Sequence, residues 1–223
     1  MDASAEQLMK SIHELSSLFN SRMGEFEKNI QQPGANTTVK SLTADFYTFK
    51  SFVWKTIGML KSQVELLHIS FDRLEMHSRR KVLLFHGVKE DVGEDTCKKV
   101  SVILSDQLKL SGISNEAFES CHRLGAKRNT ARPILVRFTT VHLRSMVWKA
   151  KTALKGSKTS ISEFLTKPRQ DVFVAARAHF GMKRCWSADG VIVVLLPDKN
   201  RKKIVSLAEL KLLTSQYTKD SSS

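Results

Sequence analysis

Apolar residues in the first third of the chain recur at helical spacings. Leu8, Ile12, Leu15, Phe19, Phe26 and Ile30 line one stripe, which predicts an amphipathic helix over residues 6–30. Pro33 and Gly34 then interrupt a polar stretch with nothing to bury, closing a first segment at residues 1–40. A longer helix is expected over 41–79. Val53, Ile57, Leu60, Val64, Leu67, Phe71 and Leu74 stand 4, 3, 4, 3, 4 and 3 residues apart. Phe46 extends this seam upstream, Lys50 interrupts it, and Gly58 lies outside it. A sustained period of 3.5 suits a partner helix better than a curved globular core, so the segment reads as a coiled coil that makes a homo-oligomer. Ile57 and Val64 at a, with Leu60, Leu67 and Leu74 at d, favour two strands, while Phe71 at a weakens that inference.

The period changes after His77. Val82-Leu83-Leu84-Phe85-His86 is a short apolar run closed by Gly87, and reads as a strand. Val100, Ile103, Leu104 and Leu108 then form a helical stripe. Phe118–Leu124 and Ile134–Phe138 read as two strands joined by a basic loop, with Ile134, Val136 and Phe138 alternating against Pro133, Leu135 and Arg137. A helix opens at Thr139 or Thr140, with Leu143, Met146, Val147, Ala150 and Leu154 on one face and Arg144, Lys149, Lys151 and Lys155 on the other. Gly156 stops it, and Ser160–Phe164 supplies a fourth strand. The order βαββαβ over residues 80–165 is that of a ferredoxin-like split βαβ unit, the arrangement of RNA-recognition-motif domains.

Residues 166–214 suffice for a second small α+β lobe. Pro168 suits the first turn of a helix that runs to Phe180 and is closed by Gly181. Asp189-Gly190 between Trp186 and the run Val191–Leu195 signals a hairpin. Ser206 and Glu209 have capping-box spacing for a last helix, and residues 215–223 read as a frayed, disordered tail.

Charge sharpens this picture. The 223 residues carry a net +14 with an isoelectric point near 9.8. Residues 1–78 hold 8 Lys/Arg and 9 Asp/Glu, which leaves 28 of the 36 cations and 13 of the 22 acids to the remainder, a net of +15. Such a skew points to a polyanionic partner for the C-terminal two thirds. Arg123, Lys127, Arg128, Arg132 and Arg137 concentrate on the hairpin, Lys155 ends the following helix, and Arg169, Arg177, Lys183 and Arg184 surround Trp186. Cys97, Cys121 and Cys185 are odd in number and form no CxxC pair, which argues against a disulfide framework or a zinc ribbon. Adjacent strand positions send Cys121 and His122 to opposite faces. Glu90, Asp91, Glu94 and Asp95 read as acids favourable to a helix N-terminus, in preference to metal-binding carboxylates of a nuclease. No Walker loop, GxGxxG, HExxH or GxSxG occurs, so neither catalysis nor a cofactor is expected. The start of the chain lacks signal-peptide character and no run of 18 apolar residues occurs, which predicts a soluble protein of the cytoplasm, with the nucleus a further compartment.

RNA-recognition motifs stack bases on aromatics of their first and third strands. With Val136-Arg137-Phe138 set on the end of the third-strand motif, the stacking positions fall at Pro133 and Leu135, so the expected surface is phosphate-directed. Cys121-His122-Arg123-Leu124-Gly125, then Arg132-Pro133-Ile134-Leu135-Val136-Arg137-Phe138 and a basic helix ending in Lys155-Gly156, resemble the first-open-reading-frame protein of LINE-type non-LTR retrotransposons. Residues 168–213, with Cys185-Trp186-Ser187-Ala188-Asp189-Gly190, resemble the C-terminal domain shared by insect retroelement proteins and the baculovirus few-polyhedra (FP) protein. No zinc knuckle of the kind some insect relatives carry is present. The resemblance implies a coiled-coil homo-oligomer that coats single-stranded RNA or DNA as a nucleic-acid chaperone, with no small-molecule substrate and no membrane. The best-known LINE proteins are trimers, whereas the a and d residues here lean toward a dimer. The competing expectation is a protein–protein scaffold, host-domesticated or viral, whose basic lobes dock an acidic partner.

Overall fold

The computed structural model describes residues 3–31, 39–110, 113, 115–127 and 130–217. Arg128, the Pro33-Gly34 break and the tail from Thr218 lie outside them, as do the side chains of Leu8 and Ile30. The protein is mixed α+β, with six α-helices and two small antiparallel sheets among the described residues. It divides into two compact units, Met1–Phe71 and Asp72–Ser223.

The first unit is built from α1 (Ala3–Gln31) and the first four-fifths of α2 (Val39–Ser78). Phe19 stacks on Phe52 with ring centroids 6.1 Å apart, and Phe26 on Phe49 at 4.6 Å. The later residue of α1 meets the earlier residue of α2, so the helices are antiparallel. Leu15 and Thr56 are buried. The stripe of α1 thus covers the flank of α2 that carries Phe49, Phe52 and Thr56, beside the heptad seam and not on it. Val53 is half-buried, whereas Ile57, Leu60, Val64, Leu67, Phe71 and Leu74 are 42–67% exposed.

In the second unit, β1 (Val82–His86), β2 (Phe118–Arg123), β3 (Ile134–Phe138) and β4 (Ser160–Glu163) form one sheet in the order β2-β3-β1-β4, every neighbouring pair antiparallel. Leu83, Phe85, Ile134, Val136, Phe138 and Ile161 share one face by the period-2 alternation. They pack in one buried cluster with Val100, Ile103 and Leu104 from α3 (Thr96–Val102) and its extension, and with Val147 and Leu154 from α4 (Val141–Ala150) and the turn after it. The extension is a wide π-type turn over Ile103–Gln107, where the Leu108 N–H donates to the Ile103 carbonyl. Thr140 caps α4 by accepting from the Leu143 N–H.

The second sheet has β5 (Cys185–Ala188), β6 (Val191–Leu195) and β7 (Arg201–Ile204) in the order β5-β6-β7. Cys185, Ile192, Val194 and Ile204 pack against α5 (Lys167–Phe180) and α6 (Leu207–Gln216). Asp189 and Gly190 have φ of 52° and 76°, the left-handed pair that a tight two-residue hairpin demands. Ser206 caps α6 through the Glu209 N–H, while the Glu209 carboxylate reaches back to the Val205 N–H. Both sheets belong to one compact unit, so the segments 80–165 and 166–214 share buried contacts.

Candidate nucleic-acid interface

The hairpin β2–β3 sends its cations in two directions, and strand register decides which. Arg123 pairs with Ile134, so it shares the helix-covered face with Ile134, Val136 and Phe138. Its side chain is 5% exposed and all five guanidinium protons are engaged. The Nε donates to Glu94 Oε1 at 2.6 Å and Nη2 to Glu94 Oε2 at 3.0 Å. Nη2 also donates to the Lys89 carbonyl at 2.8 Å, and Nη1 to the carbonyls of Val88 (2.9 Å) and Arg132. Arg123 therefore offers no donor to a phosphate, and its assignment to a binding surface is corrected: it is a tie between β2, β3 and the acidic loop. Arg132 is a second tie. Its guanidinium meets Glu90 at 2.6 Å and the Gly125 carbonyl at 2.9 Å, with about a quarter of the side chain exposed.

The acidic loop is thus more than a dipole partner. Asp95 does cap α3, accepting from the Lys98 N–H at 3.0 Å. Glu94 and Asp91 also take the Lys99 ammonium. The guanidinium of Arg123 draws the Glu94 carboxyl far below the usual carboxylate range, and that of Arg132 lowers Glu90. Four acids in a loop and two arginines flanking the 124–131 turn were a complementary pair of signals, although distance along the chain hid it.

Arg137 pairs with Val82 and Ser120, which places it, half-buried, on the face of the first sheet turned away from the helix-side core, where Val82 and Leu135 are themselves buried. The paired strand positions of that face are further filled by Leu84, His86, Leu135, His122 and Ser162, with no Phe, Tyr or Trp among them, and Phe164 follows β4 directly. His86 bonds Ser162 at 2.7 Å, and burial lowers its pKa. Lys127 is exposed at the loop between the strands.

Two further arginines are structural. Arg144 is buried on α4, where its Nη2 donates to Glu163 Oε1. The other oxygen of Glu163 accepts from the Gly190 N–H at 3.2 Å, so one carboxylate joins β4, α4 and the β5–β6 turn. Arg169, buried on α5, donates to Asp72 at 2.7 Å and to the Gly190 carbonyl at 2.7 Å. Arg169 thus does not lie on the basic surface expected around Trp186, and Arg144 does not lie on a solvated face of its helix. A cavity of about 510 Å³ sits at this junction, lined among others by Arg73, Arg79, Arg80, Arg144 and Phe164. Arg79 lies over the Phe164 ring, and Arg73 and Arg80 are exposed. On the same side as Arg144, which lies 5.1 Å from the Trp148 centroid, the Lys151 ammonium lies 3.0 Å from that centroid, and burial lowers its pKa to about 8.

Lys155 and Lys183 are exposed. Arg177 is half-buried over Phe173, its Nε reaching the Cys185 carbonyl, and Arg184 is half-buried. Among the described residues no group of three or more His, Cys, Asp or Glu is placed to hold a metal, and no helix is long and apolar enough to cross a membrane. Burial pushes the Cys185 thiol up to about 11. No protein-family model matches the chain, and no curated protein matches it significantly.

Proposed function

We propose that the protein binds single-stranded RNA, and single-stranded DNA as a second ligand, without sequence preference and mainly through phosphates, as a nucleic-acid chaperone that self-associates along α2. One observation carries this reading. Four acids of the basic unit are tied to internal arginines, Glu90 to Arg132, Glu94 to Arg123, Glu163 to Arg144 and Asp72 to Arg169. Arg73, Arg80, Lys127, Lys155 and Lys183 are exposed with no ion pair among the described residues. A set of point charges without carboxylate partners attracts a polyanion over the distance of a Debye length and reads no sequence. The order β2-β3-β1-β4 supports a ferredoxin-like, non-standard RNA-recognition-motif unit, and the lack of a ring at the paired positions around Arg137 supports phosphate contacts over base stacking there. The exposed seam from Ile57 to Leu74 supports a coiled coil with a second copy of the chain. The resemblance to LINE-type and FP-type proteins fits the same reading, including an origin in a retroelement.

A salt titration tests it. Each phosphate neutralised on a single strand contributes about 0.7 to the slope of log K against log salt. Replacing Arg80, Arg137 and Lys155 together by Gln should lower the slope by about 2 for every sequence tried. An unchanged slope overturns this surface, and absence of binding at low salt overturns the function. The scaffold alternative is favoured by the same exposed seam; it predicts a monomeric chain by light scattering that captures a different helical partner.

A further inference from the structure

We propose that the outer face of the second sheet is a base-stacking site for single-stranded nucleic acid, with Trp186 as its platform. The inference rests on the phosphate-binding reading above and adds base contact at a place that reading leaves empty. Cys185, Ile192, Val194 and Ile204 face α5 and α6, so alternation turns Trp186, Val193 and Lys203 to the opposite side. Register sets these three in one row across the sheet, Trp186 beside Val193 and Val193 beside Lys203. The next row pairs Leu195 with Arg201. Val193 is buried although it lies outside the helix-side core, while Trp186 beside it is half-buried. The indole is therefore held against an aliphatic neighbour and keeps part of its surface open.

Charge complementarity selects the occupant. The guanidinium of Arg201 lies 5.7 Å from the Trp186 ring centroid, at the outer range of a cation–π contact. Arg201, Lys202 and Lys203 are consecutive and exposed on the edge strand β7. No acid occurs in β5, β6 or β7, and Asp198 of the adjacent turn is engaged by the Asn200 amide and the Tyr217 hydroxyl. An aromatic ring bordered by cations spaced along a strand is the arrangement that lets bases stack while their phosphates are neutralised. At the paired strand positions of the first sheet, the face with Arg137 holds no ring; the outer face of the second sheet holds both a cation and a ring.

The test uses the full chain with Trp54→Phe and Trp148→Phe, which leaves Trp186 as the one tryptophan of three. It is titrated with oligothymidylate, with an abasic deoxyribose-phosphate strand of equal length and with polyglutamate. Trp186 emission should fall with oligothymidylate alone. In the otherwise native chain, Trp186→Ala should weaken binding of oligothymidylate roughly tenfold and leave the abasic strand unaffected, while Trp186→Phe should retain most of the affinity. Equal quenching by the abasic strand or by polyglutamate overturns the stacking site, and so does an unchanged preference for oligothymidylate in Trp186→Ala. Should that variant fail to fold by circular dichroism, the single-tryptophan titration decides alone. If neither strand binds, the phosphate reading falls with it; if both bind equally, only the stacking site falls.

Discussion

Replacing Arg123 by Ala separates a structural arginine from a binding one. The substitution removes five hydrogen bonds, two of them to a carboxylate that is itself 8% exposed. It leaves Glu94 with Lys99 and the Asp91 N–H, leaves the Lys89 carbonyl with Lys99, and takes from the carbonyls of Val88 and Arg132 the guanidinium donor they now share. Breaking a buried pair by deleting one partner costs about 3–5 kcal/mol, and the retained Lys99 contact argues for the lower figure, about 3 kcal/mol. For a unit of this size each kcal/mol moves the melting midpoint by roughly 2–4 °C, so Arg123→Ala should lower Tm by about 10 °C. Arg123→Lys should recover little, because an ammonium cannot span a carboxylate and three carbonyls. The assay is thermal unfolding by far-UV circular dichroism on the full chain, paired with a salt titration of single-stranded RNA binding at a temperature where the variant is folded. A Tm within about 2 °C of the parent, together with a salt slope lower by about 0.7, would refute the reasoning, since that is the signature of a free phosphate contact.

Acid should unfold the Asp72–Ser223 unit in a particular window. Glu90, Asp91, Glu94 and Asp95 are held by hydrogen bonds below their ordinary pKa, so their contribution is complete above about pH 4.5 and is lost as pH falls through the depressed values; urea midpoints measured from pH 7 to pH 3 should drop steadily below about 4.5. Gly87→Ala should destabilise by more than about 2 kcal/mol, because φ is +75° and an added Cβ would stand 1.9 Å from the Lys158 carbonyl oxygen, whereas Gly93→Ala, with similar φ and open space, should cost only about 1 kcal/mol by chemical denaturation. Leu60→Asp with Leu67→Asp should abolish self-association in sedimentation velocity without loss of helix in the Phe19–Phe52 hairpin, and persistence of the oligomer would remove the seam from the interface.

Elements and their caps were legible because they depend on neighbours in the chain. Thr140, Gly181, Ser206 and the Asp189-Gly190 turn each sit where local geometry asks for that residue. The π-type turn at Ile103–Gln107 was not, since the stripe Val100, Ile103, Leu104 and Leu108 is compatible with an ordinary helix. The partner of α1 was also hidden: periodicity shows that a stripe must be covered, and not by what. The cations were read by number when they needed to be read by parity. Ile134, Val136 and Phe138 were recognised as the inward set, and Arg123 lies across from Ile134, so its inward direction followed from a register that only the 124–133 loop length and the bulge at Glu119 determine. Arg144 and Arg169 needed Glu163 and Asp72, 19 and 97 residues away.

Parity also changes which chemistry the surface can offer. Among the described arginines from Asp72 onward only Arg73, Arg80 and Arg201 are exposed, while Lys109, Lys127, Lys149, Lys155, Lys158, Lys183, Lys202 and Lys203 are. The flat guanidinium fork, which holds carboxylates and carbonyls at fixed angles, is used mostly inside the fold, where Arg123 and Arg169 each bridge a carboxylate and main-chain carbonyls. The outside is left mainly to ammonium groups, hydrated point charges with no preferred plane. On the proposed function, such a surface would follow a phosphate chain of any sequence and distinguish poorly among polyanions. On the proposed reading, discrimination of nucleic acid from other polyanions then has to come from a group with a face, and Trp186 is the group we assign to it.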